Sequence, residues 1–371
     1  MPIRSSLLVL TLAILSGCGP AGKLPTDYQQ QQQFLNPIAF HDIEIFDYTD
    51  SKKFASLPLE GDSRDGKKFW SGDYWPLQKG NINQRWNAYT HMGQNRPSPD
   101  RSLVKLMRYE ELAELSPSEK YDLFLGRYDF PLTMEVKARS KEEAKDWEGI
   151  CNGWAAATTH HKEPLPKNLV NADGVTIPFG SADIKALISY YYAYDDYHKA
   201  VTTHQIGKRC DSKKQFLGIN TPAECKDDVN PGSFHLALTN TIGLKQKSFL
   251  MDVNRYKEVW NHPVIAYTSK MVDEDKTPGE KVTVGTVRTV TVESRVFYID
   301  ESDKNTWYPI NDTSEQKVAH KDYEYHLYLN VSDEVIGGQW KSGERPDFMW
   351  RMAPAYHFKG KLDHLGLLLN D

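Results

Sequence analysis

Hydrophobic and polar positions change their period several times along the 371 residues. Residues 7–15 (LLVLTLAIL) form an unbroken apolar run behind Arg4, shorter than the roughly 20 residues a spanning helix needs. Residues 41–100 hold many Asp, Gly, Trp and Tyr without a helical period, and 69–76 (FWSGDYWP) reads as a loop laying aromatics on a larger body. The spacing predicts a helix over 115–126: Ser116 caps it, Pro117 opens the first turn, Glu119 completes a capping box and Gly126 stops it. A second helix is expected from Ser140 in SKEEAKDWEG, with acids in its first turn, and a third from Cys151 through WAAATTHH. Residues 183–197 predict another, with Ile184, Leu187, Ile188 and Tyr191 at helical spacing.

After Pro231-Gly232 the period turns to two. Phe234, Leu236 and Leu238 alternate with His235, Ala237 and Thr239, which predicts a strand, and 249–252 (FLMD) is its return partner. Residues 282–299 are rich in Val and Thr, and Tyr323, Tyr325, Leu327, Leu329 and Val331 alternate ahead of Gly337-Gly338. Helices first and strands later predict an α+β fold with a β-rich C-terminal part.

Composition narrows the function classes. The 45 basic and 50 acidic side chains give a net charge of −5, which excludes a broad basic surface for nucleic acid. With 39% hydrophobic and 12% aromatic residues the chain can bury a large core, so wholesale disorder is excluded. A mean hydropathy of −0.61 excludes a polytopic membrane protein.

The apolar N-terminal run ends in Leu15-Ser16-Gly17-Cys18, a pattern that resembles a bacterial lipobox, in which the cysteine becomes the first mature residue and carries lipid. The expected organisation is a signal peptide at 1–17, a tether at 18–40 containing Gln29 to Gln33, a catalytic α+β core at 41–270 and a β-rich region at 271–371. Export to a bacterial membrane, taken as the outer one, follows; several acyl chains on one cysteine anchor stably. In an oxidising space Cys210 and Cys225, which bracket a polar loop, are expected to form a disulfide worth about 3 kcal/mol in the chain-entropy picture. Cys151 is then the odd thiol.

Cys151 lies in Trp147-Glu148-Gly149-Ile150-Cys151-Asn152-Gly153-Trp154. A helix N-terminus favours the thiolate, and the glycines let backbone N–H groups approach a substrate carbonyl as an oxyanion hole in which Asn152 takes part. Trp147 and Trp154 could wall off water and guide an extended amine. The alternative is a small buried cysteine in a glycine turn beside two core tryptophans. A cysteine nucleophile needs a His base and a group that orients it. His235 and Asp252, on the two strands of the expected hairpin, fit these roles; otherwise they are a core-edge His and a strand-end Asp. No cofactor or metal is expected: His160-His161 has no second ligand pair, Asp273-Glu274-Asp275 lacks the glycine of a calcium loop, and no phosphate-binding loop is present.

Helix-Cys, strand-His, strand-Asp is the order of transglutaminase-like and papain-like cysteine enzymes. The stretches GICNGWAAA (149–157), IPFGSADIKALISYYY (177–192) and NPGSFHLALTNTIG…FLMDV…VWNHPVIAY (230–267) resemble the transglutaminase elicitor family, as do LSPSEKYDLFLG (115–126) and IGGQWKSGERPDFMW (336–350). The resemblance spans roughly residues 60–350. It implies acyl transfer from protein-bound glutamine to a lysine or other primary amine through a thioester on Cys151. It carries His235 over as base; Asp252, Asp183 and Asn240 all remain eligible as the third member. A thiol peptidase or protein deamidase on the same site, or a surface binding protein without chemistry, are the other readings.

Overall fold

The computed structural model describes residues 43–64, 69–86, 97–195, 203–209, 229–254, 258–277, 282–341 and 343–369. The helices in chain order are α1 (Arg101–Val104), α2 (Tyr109–Ala113), α3 (Pro117–Phe124), α4 (Pro131–Arg139), α5 (Cys151–His160), α6 (Ser181–Tyr194) and α7 (Pro231–Leu236). The strands are β1 (Glu60–Asp62), β2 (Lys167–Val170), β3 (Thr176–Phe179), β4 (His204–Gly207), β5 (Phe249–Asp252), β6 (Asn261–Asp275), β7 (Arg288–Ile299), β8 (Val318–Leu329), β9 (Val335–Trp340) and β10 (Phe348–Arg351).

β4, β10, β5, β6, β7, β8 and β9 lie side by side in that order, all antiparallel, and β1 also pairs with β6. β2 and β3 form a separate hairpin. The sheet is covered on both faces. Leu250, Ile265, Ile299 and Trp350 join the core around α5 and α6. Their strand neighbours Phe249, Met251, Val264 and Met349 join a second core with Phe234, Leu236 and Leu238. That alternation is the period-2 pattern of a pleated sheet. Among the described residues no helix is long and apolar enough to cross a membrane.

Local sequence explains the best-formed helices. Ser116 and Glu119 make the expected reciprocal cap at the start of α3, with Pro117 in its first turn. α5 and α6 approach closely: a Cβ on Gly153 would lie 2.0 Å from the Ser189 carbonyl oxygen, and Ala155, Ala156 and Ala157 are fully buried. Two expectations are corrected. The SKEEAKDWEG segment is turns; the helix there is α4, and Ser140 closes it rather than opening one. The strand expected at 234–239 is also a helix. Asn230 caps α7 by accepting from the Gly232 N–H at 2.8 Å, Pro231 opens it, and a π-helix, Ala237–Leu244, continues it. Every residue of α7 is buried, so no polar stripe marks a helical period, and chance alternation of large and small side chains mimicked a strand.

Candidate functional site

Cys151 is the first residue of α5. Ile150 precedes it with φ −114° and ψ 37°, and no side chain caps the helix. The start of a helix presents N–H groups without intrahelical partners, so this end favours negative charge. The 69–76 loop holds it in place. The Ile150 N–H donates to the Tyr74 carbonyl at 2.7 Å, the Leu77 N–H to Glu148 at 2.8 Å, and Trp154 Nε1 to the Trp70 carbonyl at 3.3 Å. A Cβ on Gly149 would sit 2.3 Å from the Tyr74 carbonyl oxygen, so only glycine allows this approach. We expect Gly149→Ala to cost about 1–3 kcal/mol and to slow alkylation of Cys151, read by thermal melting and timed iodoacetamide labelling; an unshifted melt would mean the loop does not clamp the helix.

The thiol is fully buried, in a cluster with Trp147 and Val259 against which Tyr74 and Trp260 pack. Tyr74 and Trp260 meet edge to face at 5.2 Å. Cys151 Sγ lies 3.7 Å from the Val259 carbonyl oxygen and 3.8 Å from Asn261 Nδ2. Asn261 Oδ1 in turn accepts from Trp350 Nε1 at 2.7 Å. Asn152, next after the thiol, keeps a buried side-chain oxygen without a hydrogen-bond partner.

Two acids stand close enough to the thiol for its charge to act on them. Asp252 ends β5 opposite Asn261 and is fully buried; burial first, then Asp347 and Cys151, hold its carboxyl well above the usual range. Glu301 follows β7, and burial first, then Asp300 and Cys151, raise it likewise.

His262 is the imidazole at this end of the sheet. Val264 pairs with Tyr298, so continuing the β6–β7 ladder two residues outward brings His262 toward Asp300. The ring stands edge-on to Trp154 at 6.2 Å and against Tyr298 at 4.7 Å. Its Nδ1 is 3.1 Å from the Ile299 carbonyl oxygen, 3.7 Å from Asp300 and 4.0 Å from Glu301. A carbonyl oxygen only accepts, so Nδ1 carries the hydrogen and Nε2 is the basic nitrogen of the neutral ring. Burial holds the imidazole below its ordinary value, against the opposing pull of Asp300 and the Ile299 carbonyl. The ligand atoms of His262, Asp300 and Glu301 lie within 4.8 Å of one another. One nitrogen and two carboxylates fall well short of the six to eight oxygens that calcium takes.

The structure thus gathers Cys151, Asn152, Trp147, Trp154 and Asp252 at the start of α5. It does not bring His235 there. His235 sits on α7 with Nδ1 2.9 Å from the Tyr325 hydroxyl and its ring stacked on Phe54, both in the second core. Burial drives it down to about 3 and Nε2 has no partner, which makes it a poor base at neutral pH. The hairpin that would have set Asp252 beside it is absent, and Asp252 faces Asn261 instead. Asp183 is occupied: it accepts from Lys120 Nζ at 2.7 Å, Trp86 Nε1 at 2.9 Å and the Gly180 N–H at 2.7 Å. Asn240 bonds the Ser51 and Leu236 carbonyls. Cys18, Cys210 and Cys225 lie outside the described residues.

His262, Asp300, Glu301 and Asn261 escaped the sequence reading. Asn261-His262 stood inside a quoted family-like stretch, but the earlier His235 matched an apparent hairpin and drew the assignment.

Residues 138–359 match the transglutaminase elicitor family. Over 86% of this chain and 92% of the other, the fold matches the crystal structure of the GP42 transglutaminase from Phytophthora sojae, with a TM-score of 0.61 and 21% identity. At that identity the likeness is one of fold. Among curated proteins none matches. The chain belongs to the transglutaminase elicitor family.

Proposed function

We propose that this protein is a cysteine acyltransferase of transglutaminase type. Cys151 attacks the carboxamide carbon of a protein-bound glutamine, ammonia leaves, and a primary amine resolves the thioester. The carrying observation is a thiol at the uncapped start of α5, walled by Trp147, Tyr74 and Trp260. The helix start stabilises both a thiolate and the oxyanion of the tetrahedral intermediate, and the aromatic wall keeps water from the thioester. In this reading His262 replaces His235 as base, because its Nε2 is the unprotonated nitrogen, and Asp300 replaces Asp252 as the acid that steadies the ring.

The test is mass spectrometry of a glutamine peptide incubated with the protein, with and without a primary amine. Amine incorporation that disappears in Cys151→Ala supports transfer. Conversion of glutamine to glutamate alone would make the protein a deamidase, chain cleavage a peptidase, and no change in a folded protein a binder.

The same reading places the protein outside the cytoplasm with lipid on Cys18, on the strength of Leu15-Ser16-Gly17-Cys18. Cys18→Ser should then shift it from the membrane fraction to the soluble one. A wild-type protein found wholly soluble, with its mature N-terminus elsewhere, would remove the anchor.

A further inference from the structure

Gln29 to Gln33 are consecutive glutamines bracketed by Tyr28 and Phe34, with no Asp, Glu, Lys or Arg between Asp27 and Asp42. They follow Cys18, so they stay in the chain whether or not the segment before Cys18 is removed. Each carries the carboxamide that the proposed nucleophile attacks. The stretch that bears them joins the fold beside the thiol. The Glu44 N–H donates to Ser233 Oγ at 2.9 Å, and Glu44 Oε2 accepts from the Gly207 N–H at 3.0 Å. Gly207 stands opposite Phe348 across β4 and β10, and Phe348 packs on the cluster of Trp147, Cys151 and Val259. Arg209, two residues past Gly207, lies over the Trp147 ring at 5.7 Å. Followed through Gly207 and Phe348, the way from Glu44 to the thiol is no more than roughly 30 Å. Gln33 precedes Ile43 by ten residues, a length that spans up to about 33–36 Å, and Gln29 by fourteen, up to about 46–50 Å. The chain is therefore long enough to bring these glutamines to its own thiol. Tyr74 and Trp260, half-buried against the cluster, are suited to ring contacts with the flanking Tyr28 and Phe34.

We infer that Gln29 to Gln33 are acyl donors to Cys151 of the same chain, so that the protein joins its own tether to a primary amine. The inference rests on the acyl-enzyme reading above and goes beyond it by making the enzyme its own donor. The Cys151 sulfur attacks the carboxamide carbon of a tether glutamine, the C–S bond forms, and the C–N bond breaks. Ammonia leaves, carrying the thiol proton. A primary amine then attacks the thioester carbonyl; the new C–N bond forms, the C–S bond breaks with its electron pair on sulfur, and an amine proton restores the thiol. The products are one ammonia, a free Cys151 and a tether bearing an isopeptide-type amide. Joining donor and thiol in one chain makes the first step intramolecular, at an effective concentration on the order of a millimolar. With the lipid proposed on Cys18, the outcome is an anchored protein that also bonds covalently to an amine-bearing neighbour.

The experiment uses the chain from Cys18 onward, with biotin-cadaverine as the primary amine and no added glutamine peptide. Light wild-type protein is mixed with isotopically heavy Cys151→Ala protein, and the tether peptides of both are read by mass spectrometry. At about 10 µM of each, biotin-cadaverine should enter the light tether roughly a hundredfold faster than the heavy one. Equal labelling of the two tethers, or labelling confined to glutamines outside the run, would overturn the inference. Gln29→Asn, Gln30→Asn, Gln31→Asn, Gln32→Asn and Gln33→Asn together keep the carboxamides but draw each back by one methylene. Self-labelling should then fall roughly a hundredfold, while biotin-cadaverine transfer to an added glutamine peptide continues. An added peptide that is labelled by a wild-type protein whose own tether is not overturns this inference alone. No labelling of either by folded wild-type protein overturns the acyl-enzyme reading and this inference with it.

Discussion

Replacing His262 by alanine should lower acyl transfer by about 10²–10⁴-fold, the usual worth of general acid–base help, while the protein stays folded. The neutral ring has its hydrogen on Nδ1, fixed by the Ile299 carbonyl, which leaves Nε2 as its basic nitrogen, and the proposed function gives that nitrogen the thiol proton. His235→Ala should instead lower the melting temperature. It removes a buried partner of the Tyr325 hydroxyl, which keeps its contact with the Ser294 hydroxyl at 2.8 Å. A loss of about 1–3 kcal/mol is expected for that change, with turnover per folded molecule close to wild type. The pH profile adds a check. A base must be unprotonated, and burial lowers the pKa of His262, so activity should persist below the ordinary histidine value and fall only as pH drops through the lowered one. The same sign holds for stability at His235: its folded pKa lies below the unfolded one, so the unfolded chain binds the proton first and stability falls as pH drops from the ordinary histidine value toward about 3. If His235→Ala abolishes turnover in folded protein and His262→Ala does not, the assignment is reversed.

What the sequence showed and hid follows from how local each signal is. The start of α3 was legible because Ser116, Pro117 and Glu119 act on one another within a single turn. β8 was legible because Tyr323, Tyr325, Leu327 and Leu329 line one face of a strand. Cys151 stood out because glycines on both sides mark a backbone approached closely, by the Tyr74 carbonyl at Gly149 and by α6 at Gly153. His262 carries no such mark. The first seven residues of β6 are all buried, so this end of the strand has no polar face to mark its period. Asp300 becomes its neighbour only through the β6–β7 register, which spans residues far apart in sequence. The acids fared the same way: Asp252 was singled out, but its opposite number was set by the β5–β6 pairing rather than by the His nearer to it in the chain. Asp183 looked eligible for a triad because nothing in GSADIKAL announces Lys120, which comes from another helix.

That pair should produce the largest stability effect in the helical layer. Lys120 on α3 and Asp183 in the first turn of α6 meet at 2.7 Å with both side chains fully buried. Lys120 Nζ lies over the rings of Trp86 at 5.4 Å and Trp307 at 5.0 Å, and Asp183 also receives Trp86 Nε1 and the Gly180 N–H. The pair therefore ties α3, the start of α6 and two loops together. Burial disfavours the charge on each partner, and each restores the other, so losing one strands the second. Asp183→Ala should cost about 3–5 kcal/mol and lower the melting temperature by several degrees. Lys120→Met should do comparable damage. Combining Lys120→Met with Asp183→Leu should recover a good part of the loss, since neither charge is then left unpaired in an apolar site. In the folded fraction of each variant the iodoacetamide rate of Cys151 should stay near wild type, because the pair supports the fold rather than the thiol. A melting temperature that does not move, together with lost thiol reactivity, would instead assign Asp183 to the chemistry.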